Sequence, residues 1–148
     1  MAVRADPLSV LVIDEETEIL SFFAKVLDAN GMRALLARNA KEALGIARRG
    51  YVPINLVLTD VFLKPEAAAV SPLTSGHELV DQIRELRPEV RALYMSAYLD
   101  SEVIRLELLD RGFQTTSKNA DDRGLIESIR NAAAAPLVRR MGGAMSGN

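Results

Sequence analysis

The chain of 148 residues contains no cysteine. That absence removes disulfides, thiolate metal sites and a thiol nucleophile together. No apolar run reaches the length of a membrane span, and the opening MAVRADPLSV carries no apolar signal region. Charge of one sign is also missing: the net charge is −2 with acids and bases interspersed, so nothing suggests a grip on nucleic acid or on an anionic membrane. No glycine-rich phosphate loop follows the first apolar run. What is present is a chain 49% hydrophobic, long enough to bury one proper core and too short for a second. The expectation is a single soluble, cytoplasmic domain.

The chain is organised around residues 54–60, INLVLTD, an almost wholly apolar run that stops on a carboxylate. Such a run suits a strand buried on both faces, although periodicity alone does not exclude a short buried helix. Asn55 is its only early polar break. Residues 9–13, SVLVI, repeat the pattern and also stop on acid, at Asp14, Glu15 and Glu16. Ile19, Phe22, Phe23, Val26 and Leu27 then recur at helical spacing, with Asp14 as candidate cap and Asn30-Gly31 as the stop. Residues 32–37 read as a strand, and Asn39 with Glu42 as an Asn-led capping box opening a helix with Ala40, Ala43, Leu44 and Ala47 inward, ended by Gly50.

Residues 61–75, rich in Pro, Ala and Ser, show no usable period and read as a long loop. Ser75 and Glu78 frame the next helix, with Leu79, Val80, Ile83 and Leu86 apolar and Pro88 closing it. Residues 91–96 (RALYMS) form a fourth strand, 100–112 a helix, 113–117 a weaker fifth strand, and 121–135 a last helix with Leu125, Ile126 and Ile129 inward. Five strands alternating with helices predict a doubly wound parallel sheet of the flavodoxin-like kind, in the order 2-1-3-4-5, with helices on both faces. The expected division is an N-terminal segment 1–8, a folded domain 9–135 and a flexible tail 136–148, rich in Gly and Ser.

In that fold the carboxyl ends of the strands gather Asp14, Glu15, Asp60, Ser96 and Lys118. Neighbouring carboxylates repel, and a hard divalent cation relieves them; magnesium favours oxygen ligands and shares its sites with phosphate. A lysine and a hydroxyl beside it complete chemistry suited to moving a phosphoryl group. Here the sequence resembles the receiver domain of two-component response regulators, over roughly residues 9–135. The resemblance rests on the acidic pair Asp14-Glu15 after the first strand, Asp60 after the third, Ser96-Ala97 after the fourth and Lys118 after the fifth. No one of these is specific; four in order, each at a strand end, are.

The resemblance implies that Asp60 accepts a phosphoryl group from a histidine kinase or histidine phosphotransfer protein. It implies magnesium held by Asp14, Glu15, Asp60 and the backbone carbonyl of Phe62, with Asp14 acting through water. Lys118 would pair with the phosphoryl oxygens, and Ser96 would move to hydrogen-bond one of them, turning the site into a switch for a downstream protein. It implies no enzyme beyond self-catalysed phosphoryl transfer, no nucleic acid or membrane partner, and a monomer or weak homodimer. This sequence departs from the family in four places: Asn119 where a proline follows the lysine, Thr115 at the usual aromatic switch position, Lys64 ahead of Pro65, and an insertion of about eight residues before Gly76, longer than an ordinary connection. Phe62 and Tyr98, at positions that in the family influence hydrolysis, are bulky and imply slow self-dephosphorylation.

Each residue also has an ordinary reading. Asp14, Glu15 and Glu16 alone would be helix-capping acids, Asp60 a loop opener, Ser96 a satisfied hydroxyl and Lys118 a surface cation. His77, the single histidine, stands at a helix start beyond the long loop and reads as non-catalytic; Arg48-Arg49 and Arg139-Arg140 read as solvated charge. Two alternatives stand beside a stand-alone phosphoacceptor. One is a degenerate receiver used as a phosphorylation-independent interaction module, favoured by Asn119, Thr115 and the insertion. The other is a small phosphohydrolase-like enzyme, opposed by the missing phosphate loop and by the lack of a second acid two residues after Asp60.

Overall fold

The computed structural model describes residues 7–50, 52–60, 62–63, 74–96, 114–117 and 122–134, with the backbone alone at Asp60, Phe62, Leu63, Thr74, Ser75, His77, Ser96, 114–117 and Asp122. The strands are β1 (Ser9–Ile13), β2 (Arg33–Ala37), β3 (Leu56–Asp60), β4 (Phe62–Leu63), β5 (Thr74–Ser75), β6 (Arg91–Ser96) and β7 (Gln114–Ser117). The helices are α1 (Thr17–Ala29), α2 (Ala40–Ala47), α3 (Gly76–Leu86) and α4 (Asp122–Ala134). Five strands pair in parallel in the order β2-β1-β3-β6-β7, which is the expected 2-1-3-4-5 once the short pair β4-β5 is set aside. The helix expected over 100–112 lies outside the described residues, as does the tail 136–148.

Central strands of a parallel sheet are covered on both sides, and their side chains divide into two cores. On one face Leu11, Ile13, Val57, Ala92 and Tyr94 pack with Ala43 and Ala47 of α2 and with Leu79, Val80 and Ile83 of α3. On the other, Val10, Val12, Leu56, Leu58, Leu93 and Met95 meet Leu20, Phe23, Val26 and Leu27 of α1 and Leu125, Ile126 and Ile129 of α4. The alternation within β1, odd residues to one core and even to the other, is the period of two of an extended chain. At the opposite edge Asn55 ties three strands together. Its backbone N–H donates to the Ser9 carbonyl at 2.9 Å, its side-chain oxygen accepts from the Ser9 N–H at 2.8 Å, and its carbonyl accepts from the Arg91 N–H at 3.2 Å.

Three sequence expectations are corrected. Phe22 is 40% and Leu86 44% exposed, so neither belongs to its helix's inner stripe; Leu20, buried, takes the place of Phe22. Phe22 lies on the flank of α1, whereas Leu86 is in line with Leu79 and Ile83 but is the last residue of α3, at the end of the apolar face. The stretch 61–75 is not an unpaired loop at its ends: Phe62 pairs with Ser75 and Leu63 with Thr74 in an antiparallel ladder, and α3 begins at the next residue. The Asn39 cap holds, accepting the Glu42 N–H at 2.8 Å, but Glu42 closes the box one residue early. Its carboxylate accepts the Arg38 N–H at 2.8 Å and pairs with the Arg38 guanidinium at 3.3 Å. The Arg38 N–H in the first place, and the guanidinium after it, hold the Glu42 carboxyl below its usual range.

α1 ends as the sequence indicates. Gly31 sits at φ 74°, and Met32 donates back to the Leu27 carbonyl at 2.9 Å. Among the described residues nothing lies within 4 Å of where a Cβ would stand, so the cost of Gly31→Ala is conformational. Urea unfolding of that variant is expected to show a loss of about 1–2 kcal/mol at unchanged m. An unchanged midpoint would mean the turn relaxes out of the left-handed region.

Candidate functional site

β1, β3 and β6 end side by side at the carboxyl edge of the sheet. Ile13 pairs with Thr59, so Asp14, one residue on, stands level with Asp60, which pairs with Met95 in turn. Asp14 continues the ladder past β1, since its N–H donates to the Ala37 carbonyl at 3.1 Å. Adjacent strands run about 4.8 Å apart, so the backbones of Asp14 and Asp60 are immediate neighbours. Ser96 closes β6 one residue beyond Met95 and pairs with Ser117, the last residue of β7. Lys118 and Asn119 lie outside the described residues, as do Lys64, Pro65, Ala97 and Tyr98.

Asp14 is fully buried, and its Oδ1 accepts the Glu16 N–H at 2.9 Å. This corrects the expected cap: the residue at the N-cap of α1 is Glu16, with no side-chain cap hydrogen bond, while Asp14 spends Oδ1 on the turn before it. That turn is an Asx-type bond to a backbone donor two residues on, and it fixes the carboxylate at the sheet edge rather than over the helix. Glu15 is half-buried, and its Oε2 is shielded from solvent with no hydrogen-bond partner among the described residues. A carboxylate oxygen kept from water without a donor is unfavourable unless a cation offsets it. The oxygen donor set of Asp14 and Glu15 beside Asp60 fits a hard divalent cation. Among the described residues no three His, Cys, Asp or Glu side chains gather into a metal-binding group, and the Asp60 side chain is not among those described.

One level below this edge runs the row Ala37, Ile13, Thr59, Tyr94 and Thr115, paired in that order. Thr59 is buried, and Tyr94 is buried against α3. Burial pushes the Tyr94 hydroxyl far above its ordinary range; Arg84 pulls it down and Asp81 adds to the rise, so it stays protonated at physiological pH. Sequence reasoning does not single Tyr94 out. The available signal is a polar-tipped ring in an otherwise apolar strand.

The sheet order and helix placement have counterparts in known proteins. Residues 10–130 match the family described as the response regulator receiver domain, and the chain belongs to that family. It is 30% identical over 128 residues to the hydrogenase transcriptional regulatory protein HoxA of Cupriavidus necator, covering 86% of this chain and 24% of that protein. It is 27% identical over 94 residues to a response regulator receiver protein of Anaeromyxobacter, covering 64% of this chain and 35% of the relative. The chain thus spans a quarter to about a third of the length of these curated relatives. Among solved structures, a CheY-like receiver domain from Methanospirillum hungatei superposes with TM-score 0.66 at 23% identity, covering 86% of this chain and 94% of the other. A response regulator from Thermotoga maritima gives TM-score 0.66 at 24% identity, covering 87% and 99%. These likenesses show the flavodoxin-like receiver fold. No helix among the described residues is long and apolar enough to cross a membrane.

Proposed function

We propose that this receiver domain is a phosphoacceptor switch in which Asp60 takes a phosphoryl group from a phosphohistidine on a histidine kinase or phosphotransfer protein. The observation that carries the reading is the level placement of Asp14 and Asp60, next in sequence to Glu15, whose shielded Oε2 has no hydrogen-bond partner among the described residues. An Asp60 carboxylate oxygen forms a bond to phosphorus as the donor's P–N bond breaks, and the imidazole leaves with the electron pair. Asp14, Glu15, Asp60 and the Phe62 carbonyl would hold magnesium, which neutralises charge on the phosphoryl oxygens when bound. Lys118 pairs with those oxygens and Ser96 donates a hydrogen bond to one of them. The protein contributes position and charge, not further covalent chemistry. Phe62 and Tyr98 slow hydrolysis of the acyl phosphate, and output runs through a downstream protein in the cytoplasm or through onward phosphoryl transfer.

Incubation with acetyl phosphate and magnesium, read by intact mass, tests this. One phosphoryl addition, lost when the metal is chelated beforehand, is expected. A chain that stays unmodified under these conditions is the degenerate interaction module that Thr115 and Asn119 would suit.

A further inference from the structure

The site edge is joined to α3 in two separate ways. The first is along the chain. β3 ends at Asp60, β4 starts at Phe62, and its partner β5 runs into α3 without an intervening residue, with Gly76 buried at the junction. The start of α3 is therefore tied by a backbone ladder to the residue two beyond Asp60. The second is through the core. Tyr94 lies one strand across from Thr59, the residue before Asp60, and two residues before Ser96 on the same strand. Its ring, 1% exposed, shares one cluster with Leu79, Val80 and Ile83 of α3. Asp81 and Arg84 on the same helix act on its hydroxyl, and the Arg84 Nε donates to the Val90 carbonyl, just before β6, at 2.9 Å. Across the sheet the partner of Tyr94 is the small Thr115. Among the paired residues of this row Tyr94 supplies the one aromatic ring.

We propose that Tyr94 is a positioning residue through which the state of the Asp60–Ser96 edge is transmitted to α3, making that helix a reporting surface of the switch. The inference rests on the phosphoacceptor reading. A shift of Ser96 toward a phosphoryl group displaces the strand carrying Tyr94, and a close-packed core passes the displacement to the helix against the ring instead of absorbing it. The ring fills the space between β6 and Leu79, Val80 and Ile83, and its bulk carries the displacement. Gln82, Glu85 and Leu86, on the exposed side of α3, are then the residues whose surroundings change.

Amide hydrogen exchange over residues 79–86, measured with and without acetyl phosphate and magnesium, tests it. Protection across these residues is expected to change by about fivefold or more on phosphorylation in the native chain. In Tyr94→Leu, which removes the ring but keeps an apolar side chain in the strand, the change is expected to fall below about twofold while phosphoryl incorporation persists. Tyr94→Phe, which keeps the ring, is expected to retain at least about half of the native change, so that the loss in Tyr94→Leu traces to the ring. Incorporation in the native chain with α3 unchanged overturns this inference alone, as does a native-sized response in Tyr94→Leu. No incorporation in the native chain overturns the phosphoacceptor reading, and this inference with it.

Discussion

Glu15→Gln is expected to weaken magnesium binding by at least about tenfold, because it removes one carboxylate charge from a hard oxygen site. The amide keeps the shape of the side chain but supplies only a weak neutral oxygen to the cation. The structural reason is the shielded Oε2, which has no donor among the described residues. Without metal the same substitution is expected to leave stability unchanged or slightly raised, since it relieves a carboxylate kept from water. Titration calorimetry with magnesium, run beside urea unfolding of the metal-free protein, reads both halves. Equal affinity in the two proteins would mean that Glu15 only opens α1.

Leu58→Ala is expected to lower unfolding stability by about 2–5 kcal/mol. Leu58 is fully buried in the middle of β3, between α1 and α4, and its removal leaves a cavity that close-packed helices fill only in part. Against a typical total of about 5–15 kcal/mol, this is a large fraction of what holds the domain together. Phe22→Ala is the matched control. Phe22 is a larger side chain at 40% exposure that meets Phe23 edge-on, and its loss is expected to cost about 0.5–1.5 kcal/mol. If the two variants unfolded at the same urea concentration, the division of the apolar residues between core and surface described above would be wrong.

These two variants also mark where the sequence was informative. Mostly apolar runs located the strands closely: SVLVI and RALYMS coincide with β1 and β6, because strands covered on both faces are dominated by apolar side chains. Asn30-Gly31 stopped α1 where it stops, since the left-handed turn there needs glycine. Other features had no local signal. A ladder of two residues on each side, β4 with β5, is too short to show any period, and its partners are far apart in sequence. Phe22 and Leu86 have apolar spacing, but spacing fixes neither a flank nor a helix end: Phe22 falls beside the buried face of α1, and Leu86 at the last residue of α3. That Asp14 and Asp60 share one edge followed from strand order; that they stand level is set by the pairing of Ile13 with Thr59. The engagement of Asp14 Oδ1 with the Glu16 N–H, in place of a helix cap, depends on how tightly the turn closes after β1.

The central claim is that Asp60 carries the phosphoryl group. Asn retains the size of the aspartate side chain but has no carboxylate to form an acyl phosphate, so Asp60→Asn separates nucleophile from scaffold. Incubated with acetyl phosphate and magnesium and read by intact mass, the native chain is expected to gain one phosphoryl group and Asp60→Asn none. Undiminished incorporation in Asp60→Asn would contradict the account.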